Sequence, residues 1–562
     1  MRALLLLAAF LLLLSWLLPI SFRPWTSAYQ ELLVALALVL ALGTVFLGFL
    51  RHVSLSRVIC SLFLLATIPL LQWWLGVVVY AGDAFLVSAY IVAFAGAMCL
   101  GFNLQAGVGG VMPGLAQLLL VGAVVSVGVA FLQWSGLAGN VDAAWITPLA
   151  EGVRPYANIG QPNNLATLLS FGLAGLLYLF ERRLLARCMA IILAVVLLFG
   201  LALAQSRTTW LAGFVIVLYW AWQRRRLTLR LSTRDVLLWF VLFGCMVLVL
   251  PTLGDWLGVY VESPFERARQ MQRWDMYRQF IYAVMHGPWY GYGWGQAFMA
   301  QGEVSLAFPL ALPTVYSHNI LIDMLIWNGP VLGVGLVLGY VFWLGRLFVG
   351  ARSLDAVLSW VALIPFLLHC LLEYPFAYLF LLLPAALFLG VIQAEVSGGV
   401  GDFSLPKWVV VGVALSSLVT IAAFWRDYML VEAEYQEALK REEVSFIAEG
   451  QQAVSHVWLL SNMREYIYFM RLPLRGDYAA SQLGRVLRVA HRYPRDYVLF
   501  KGATVMALNG EYDQAYLYLL LLEKLHGKEK LERVLQYFLE RSTEHPAYLS
   551  MLSRFGVGSS AR

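Results

Sequence analysis

Apolar stretches of about 20 residues recur along this chain, and arginines crowd every second gap between them. No other feature constrains the fold so strongly. A bilayer core takes about 20 apolar residues per helical crossing, and backbone groups inside it must be satisfied within the segment. Thirteen stretches fit: 3–20, 29–50, 58–80, 84–101, 112–134, 164–181, 186–204, 208–222, 235–252, 318–345, 356–372, 376–394 and 407–424. They predict an all-α, polytopic membrane protein. Cytoplasmic gaps collect Lys and Arg. Alternate gaps hold Arg51 and Arg57, then Arg182, Arg183 and Arg187, then Arg224, Arg225, Arg226, Arg230 and Arg234. Arg346 with Arg352, and finally Lys407, continue the series, while the gap at 102–111 carries no charge. This order puts the amino terminus inside; inversion would export the whole 223–234 cluster.

Composition excludes other classes. Hydrophobic residues make up 61% of the chain and charged ones 13%, so a single water-soluble core is ruled out. The net charge of +6 is accounted for by the cytoplasmic arginines and points to no nucleic-acid partner. Cys60, Cys99, Cys188, Cys245 and Cys370 fall in or beside the apolar stretches and form neither a metal motif nor a disulfide framework. Residues 3–20 lack a small-x-small cleavage site and read as a span that stays.

Two domains follow: a membrane part, 1–424, and a helical domain, 425–562, on the exported side. The membrane part carries exported loops 135–163 and 253–317, and the longer is too aromatic for disorder. In the tail, helical periodicity covers 432–443, 475–490 and 496–509. The pattern from Ala503 through Asn509-Gly510 to Ala515 resembles one tetratricopeptide-like helix pair without a clear repeat. A small helical bundle and a docking surface both fit.

Polar residues at membrane depth are functional suspects, and here four groups are expected at one exported level. Gln161, Asn163 and Asn164 open the sixth span, and Gln205, Ser206 and Arg207 join the seventh to the eighth. His318 and Asn319 begin the tenth; His369 and Glu373 end the eleventh. An imidazole can take a hydroxyl proton near neutral pH, although a histidine can also simply anchor a helix start. The Arg207 guanidinium suits a diphosphate, or else reaches lipid headgroups. Arg267, Arg269, Arg273 and Arg278 form a second basic cluster, of which Arg273 is the candidate phosphate ligand. His369 and Glu373, four apart, can pair with each other and orient their helix; no third ligand stands near, so no metal site is expected. Trp294, in Trp289-Tyr-Gly-Tyr-Gly-Trp-Gly295, could stack on sugar or sit in the membrane interface.

Five motifs occur in order: Asn158-Ile-Gly-Gln-Pro-Asn-Asn-Leu-Ala166, Gln205-Ser-Arg-Thr-Thr-Trp210, Arg273-Trp-Asp-Met-Tyr-Arg278 with Gly291-Tyr-Gly-Trp-Gly295, Tyr316-Ser-His-Asn-Ile320, and His369-Cys-Leu-Leu-Glu-Tyr-Pro375. The set resembles the O-antigen ligase and polymerase superfamily, and more closely the bacterial protein O-oligosaccharyltransferases. The resemblance implies a GT-C-like, inverting glycosyltransferase that uses neither metal nor cofactor, at the periplasmic face of the inner membrane. Its donor would be an oligosaccharide on undecaprenyl diphosphate, held among membrane lipids, and its acceptor a Ser or Thr of an exported, pilin-like protein. His318 matches the family histidine that activates or orients the hydroxyl. Arg207 and Arg273 match arginines that hold the diphosphate, and Gln161 and Asn163 match a loop implicated in activity. Many relatives set the histidine in a more polar context than Tyr316-Ser317. Ligation to lipid A-core, or polymerisation, would use the same chemistry. A lipid-linked-glycan transporter would instead want inverted repeats and midplane charges, and neither is evident.

Overall fold

The structure, a computed structural model, describes residues 2–48, 52–107, 110–137, 145–150, 153–259, 272–444 and 454–557. Arg51, Arg267 and Arg269, and the loop segments 138–144, 151–152 and 260–271, lie outside the described residues. Among those described, ten helical segments are long and apolar enough to cross a membrane, counting the interrupted stretch Arg57–Trp74 as one, with Arg2–Leu17 and Leu354–Cys370 as shorter apolar helices. The chain is a multi-pass, almost wholly helical membrane protein. Every expected span falls on helix, though ten rather than thirteen meet that length and apolarity.

In order, the helices up to the aromatic segment are α1 (Arg2–Leu17), α2 (Ala28–Gly48), α3 (Arg57–Leu65), α4 (Ile68–Trp74), α5 (Ala81–Gly107), α6 (Met112–Trp134), α7 (Pro162–Glu181), α8 (Arg187–Ala204), α9 (Arg207–Gln223), α10 (Thr233–Leu257), α11 (Gln272–His286) and α12 (Ala297–Val304). Then come α13 (Ile320–Gly350), α14 (Leu354–Cys370), α15 (Leu379–Val396) and α16 (Lys407–Val444). The tail adds α17 (Ser461–Arg471), α18 (Ala480–Arg492), α19 (Asp496–Leu508), α20 (Tyr512–His526), α21 (Lys528–Glu540) and α22 (Pro546–Arg554).

Two expected boundaries differ. The stretch 58–80 is not one helix: it breaks at Ala66–Thr67, just ahead of Pro69, whose ring clashes with a preceding helical turn. The last span and the first tail helix are instead one 38-residue helix, α16, because residues 413–444 contain neither Gly nor Pro to end it. A pair of three-residue strands also appears, β1 (Val53–Leu55) antiparallel to β2 (Phe403–Leu405), with Val53 opposite Leu405.

The chain divides into two compact units. The first holds Met1–Ala66, Ala89–Met271 and Tyr340–Ala422. Lipid gives helices no hydrophobic reason to associate, so close packing through small residues has to do it. A Cβ on Gly172 would lie 2.2 Å from that of Ala123, and one on Gly175 would lie 2.6 Å from the Ala116 carbonyl. Helices α6 and α7 therefore touch backbone to backbone. Gly101 and Gly390 do the same where α5 meets α15.

Within this unit the arginine-bearing gaps gather at one end. β1 and β2 join the gaps after α2 and α15, and Arg57 pairs with Asp402 at 3.1 Å. Arg182 pairs with Asp355, Gln105 bonds both Asp355 and Glu395, and Glu181 accepts the Arg230 and Leu231 amides. The other gaps gather at the opposite end. Asn158 donates to the Leu17 carbonyl at 2.7 Å, and Glu31 accepts the Leu379 amide at 2.7 Å. Alternate gaps thus fall on alternate ends, as repeated membrane crossing requires.

The second unit holds Thr67–Ser88, Gln272–Gly339 and Ala423–Arg562. Its tail helices bury Phe469, Leu499, Leu519, Phe538 and Tyr548 in a shared core, each worth roughly 1.5–3 kcal/mol relative to exposure. Gly510, at φ 81°, makes the turn between α19 and α20. His526 at the end of α20 bonds the Pro494 carbonyl at 2.8 Å. Burial, offset in part by that bond and Asp496, keeps its imidazole below the ordinary 6.5. For Asp496, burial works against ionisation, but Lys530 at 2.6 Å and the Tyr497 amide outweigh it and hold the carboxyl below 3.8. Both groups bind fewer protons folded than unfolded, so both favour folding at neutral pH and lose that contribution on acidification. The His526 contribution declines below pH 6.5, that of Asp496 only below pH 4. Amide protection factors in α20 of the full-length protein, which are corrected for the intrinsic pH dependence of exchange, should fall between pH 7.5 and 5.5. His526→Gln should remove that step, and a step that persists in the variant would assign it elsewhere.

Candidate functional site

In the first unit, α7 begins at a proline, whose missing N–H costs nothing in a first turn. Gln161 precedes it in extended backbone (φ −149°), so Asn163 and Asn164 sit in the opening turn. Asn163 Nδ2 lies 3.5 Å from Glu373 Oε1, and one turn on Thr167 Oγ1 lies 2.8 Å from His369 Nδ1. The spacing of four is therefore matched on both sides, with residues 163 and 167 of α7 facing Glu373, just past the end of α14, and His369 in its last turn. His369 and Glu373 thus each make a polar contact with α7. His369 is 1% exposed and Glu373 6%. Asn164 is buried as well, and its amide has no hydrogen-bond partner among the described residues. No group of three or more His, Cys, Asp or Glu side chains comes together among those residues.

At the same end, Gln205 closes α8 in a left-handed conformation (φ 47°, ψ 41°) and Ser206 opens α9, which sets Arg207 at its first position. A left-handed residue with a Cβ costs about 1–2 kcal/mol. Arg154 holds this turn: its Nη1 donates to the Ala204 carbonyl at 3.1 Å and to that of Gln205 at 3.3 Å. Ser206 is buried under the turn while the Arg207 side chain is exposed.

In the second unit, His318 itself is left-handed (φ 61°). The surrounding bonds over-determine that conformation. The Ser317 amide donates to buried Asp323 at 2.8 Å, and Ser317 Oγ donates to the Asn319 carbonyl at 2.9 Å. Asn319 Oδ1 accepts from Leu321 and Ile322, so it caps α13. Tyr277, one turn along α11 from Arg273, donates to the His318 carbonyl at 3.4 Å. Backbone strain retained in this way clusters at functional sites. Arg273 and His318 thus belong to adjoining elements of one unit.

The aromatic segment has a different task. Pro330 has no N–H, so the Ile326 carbonyl loses its helical donor, and α13 kinks at Gly329 (φ 73°, ψ 173°). The Tyr292 amide donates to the Ile326 carbonyl at 2.8 Å, and the Gly293 amide to that of Trp327 at 3.1 Å. Approach is so close that a Cβ on Gly329 would lie 2.0 Å from the Trp289 carbonyl. Trp294 is buried, donates to Asn328 at 2.8 Å and stacks on Trp327 at 4.7 Å. Its ring is occupied by protein, and the exposed rings of the segment are Trp289 and Tyr290.

Arg154, Thr167 and Asp323 escaped the sequence reading. Arg154 carried a signal, a cation on the side where cations are scarce. A single threonine in an apolar span and an aspartate in a helix's first turn carried almost none.

This architecture, with polar groups gathered at one end of a helical membrane domain and a helical tail, is matched by known families. Residues 192–338 match the family described as O-Antigen ligase, and 155–180 match Protein glycosylation ligase. Residues 357–537 match Virulence factor membrane-bound polymerase, C-terminal. The five motifs all lie within these matches. The chain is 30% identical over 537 residues to a General O-oligosaccharyltransferase of Acinetobacter baylyi, covering 94% of this chain and 93% of that protein. It is 25% identical over 496 residues to the ComP-specific O-oligosaccharyltransferase of the same organism, covering 86% and 87%. The chain belongs to the O-oligosaccharyltransferase family, within the O-antigen ligase class of membrane proteins.

Proposed function

We propose that the protein transfers a preassembled oligosaccharide from undecaprenyl diphosphate to Ser or Thr of exported, pilin-like proteins. The amino terminus is cytoplasmic, and the chemistry and the tail are periplasmic, at the inner membrane. Near full-length similarity to two O-oligosaccharyltransferases carries the reading; the over-determined His318 turn supports it.

In this reaction the acceptor oxygen attacks the anomeric carbon from the face opposite the diphosphate, so the bond to the leaving oxygen breaks with inversion. The hydroxyl proton passes to the His318 imidazole. Undecaprenyl diphosphate leaves with charge that Arg207 and Arg273 stabilise, a task guanidinium forks perform without a metal ion. Gln161, Asn163, Asn164, Gln205, His369 and Glu373 line the polar end of the first unit and orient the donor headgroup. Asn319 acts as the cap that fixes His318, and Trp294 as a brace.

Purified full-length protein, reconstituted with a lipid-linked oligosaccharide and a folded pilin-like acceptor, should add one glycan mass to the acceptor, with or without EDTA. The O-antigen ligase match favours one rival. Transfer to lipid A-core and none to protein would establish ligation instead, and chain growth on the donor would establish polymerisation.

A further inference from the structure

We propose that Arg492, at the end of tail helix α18, is a positioning residue for the His318 turn, acting through the aromatic segment. The proposal rests on the role given to His318 above. Arg492 and Asp83 are both buried, and Arg492 Nε donates to Asp83 Oδ2 at 2.8 Å. The other arm of the guanidinium, Nη2, donates to the Gly295 carbonyl at 3.0 Å. Asp83 is fixed from its other oxygen by Asn462 of α17 at 2.9 Å, and the neighbouring Gly82 amide donates to Ser461 at 2.9 Å. Two tail helices therefore hold the start of α5, and one residue among them reaches the aromatic segment.

From Gly295 the contacts continue to His318. Trp294 stacks on Trp327 at 4.7 Å, and Trp327 meets Tyr316 edge-on at 6.4 Å, two residues before His318. Burial opposes the Arg492 charge, but Asp83 outweighs it, and Tyr316 is among the nearby groups acting on it; the net effect raises the guanidinium above its usual range. A planar fork that satisfies a carboxylate and a carbonyl at once sets direction as well as distance. Tail packing alone would be served as well by apolar side chains of similar volume. The bond to Gly295 has meaning chiefly for the segment it restrains.

The test separates stability from turnover. Arg492→Gln alone leaves a carboxylate buried without its partner and should destabilise the protein. The double variant D83N/R492Q removes both charges and should recover the wild-type melting temperature. Its kcat at saturating donor and acceptor should stay between about tenfold and a hundredfold low, the cost of slight misplacement by a remote residue, with KM unchanged. Recovery of kcat together with melting temperature would make the pair merely structural and overturn the proposal. Arg492→Lys keeps the charge without the fork, so it should fold yet lose about tenfold in kcat; wild-type kcat in that variant also overturns it. Hydrogen exchange at amides 292–296 and 316–319 should quicken in both variants. Unchanged exchange rejects the coupling even if wild type transfers no glycan, whereas absent transfer with quickened exchange sinks only the functional reading.

Discussion

His318→Gly should abolish oligosaccharide transfer while leaving the protein folded. General-base catalysis contributes typically 10²–10⁴-fold, and loss of the imidazole should remove about that much from kcat. Alanine is the weaker probe, because at φ 61° its Cβ meets the same left-handed penalty as the histidine. Glycine relieves about 1 kcal/mol of that strain and gives up a similar amount through unfolded-chain entropy. The melting temperature should therefore barely move. His318→Asn tolerates the left-handed region, keeps a polar side chain and lacks a comparable base, so it should be equally inactive. Transfer by either variant within about tenfold of wild type would show that the imidazole takes no proton. Asp323→Asn offers a graded comparison, since the Ser317 amide keeps an acceptor while the second carboxyl oxygen is replaced by an amide nitrogen.

The membrane architecture was legible because two strong physical signals coincide: apolar length and the parity of arginines. The Arg57–Asp402 and Arg182–Asp355 pairs join gaps that this parity had assigned to one side. The break before Pro69 was visible in principle, but continuous apolarity across Ala66–Thr67 outweighed a single proline. Spacing of four between His369 and Glu373 was plain; that their partners would be Asn163 and Thr167 was not, since spacing fixes a face and leaves open what covers it. The left-handed backbones of Gln205 and His318 were hidden because residues other than glycine rarely adopt them. The second unit was hidden for another reason. Asp83 and Arg492 are 409 residues apart, and a pairing of that range leaves no local periodicity. Family resemblance found the motif residues; it could not find Arg154, Asp323 or Arg492, which act on backbone carbonyls, amides and buried partners.

Arg207→Ala and Arg273→Ala should each reduce kcat by about 10²–10³-fold, the range measured when one donor to a developing negative charge is removed. The charge on the diphosphate grows as the glycosidic bond breaks, so the loss should appear in kcat at saturating donor more than in KM. A rise in KM with kcat unchanged would assign the arginine to ground-state binding. Arg207→Lys should restore only part of the rate, because an ammonium cannot bridge two phosphate oxygens as a guanidinium does. Arg207 opens α9 and Arg273 lies on α11, and the proposed reaction requires both to act on one leaving group. Groups that share a ligand do not contribute independently. Arg207→Ala/Arg273→Ala should therefore lose less than the product of the two single effects. Strict additivity across that cycle, measured by single-turnover transfer from the lipid-linked donor, would mean that the two arginines serve different steps, and the assignment of a common diphosphate would fail.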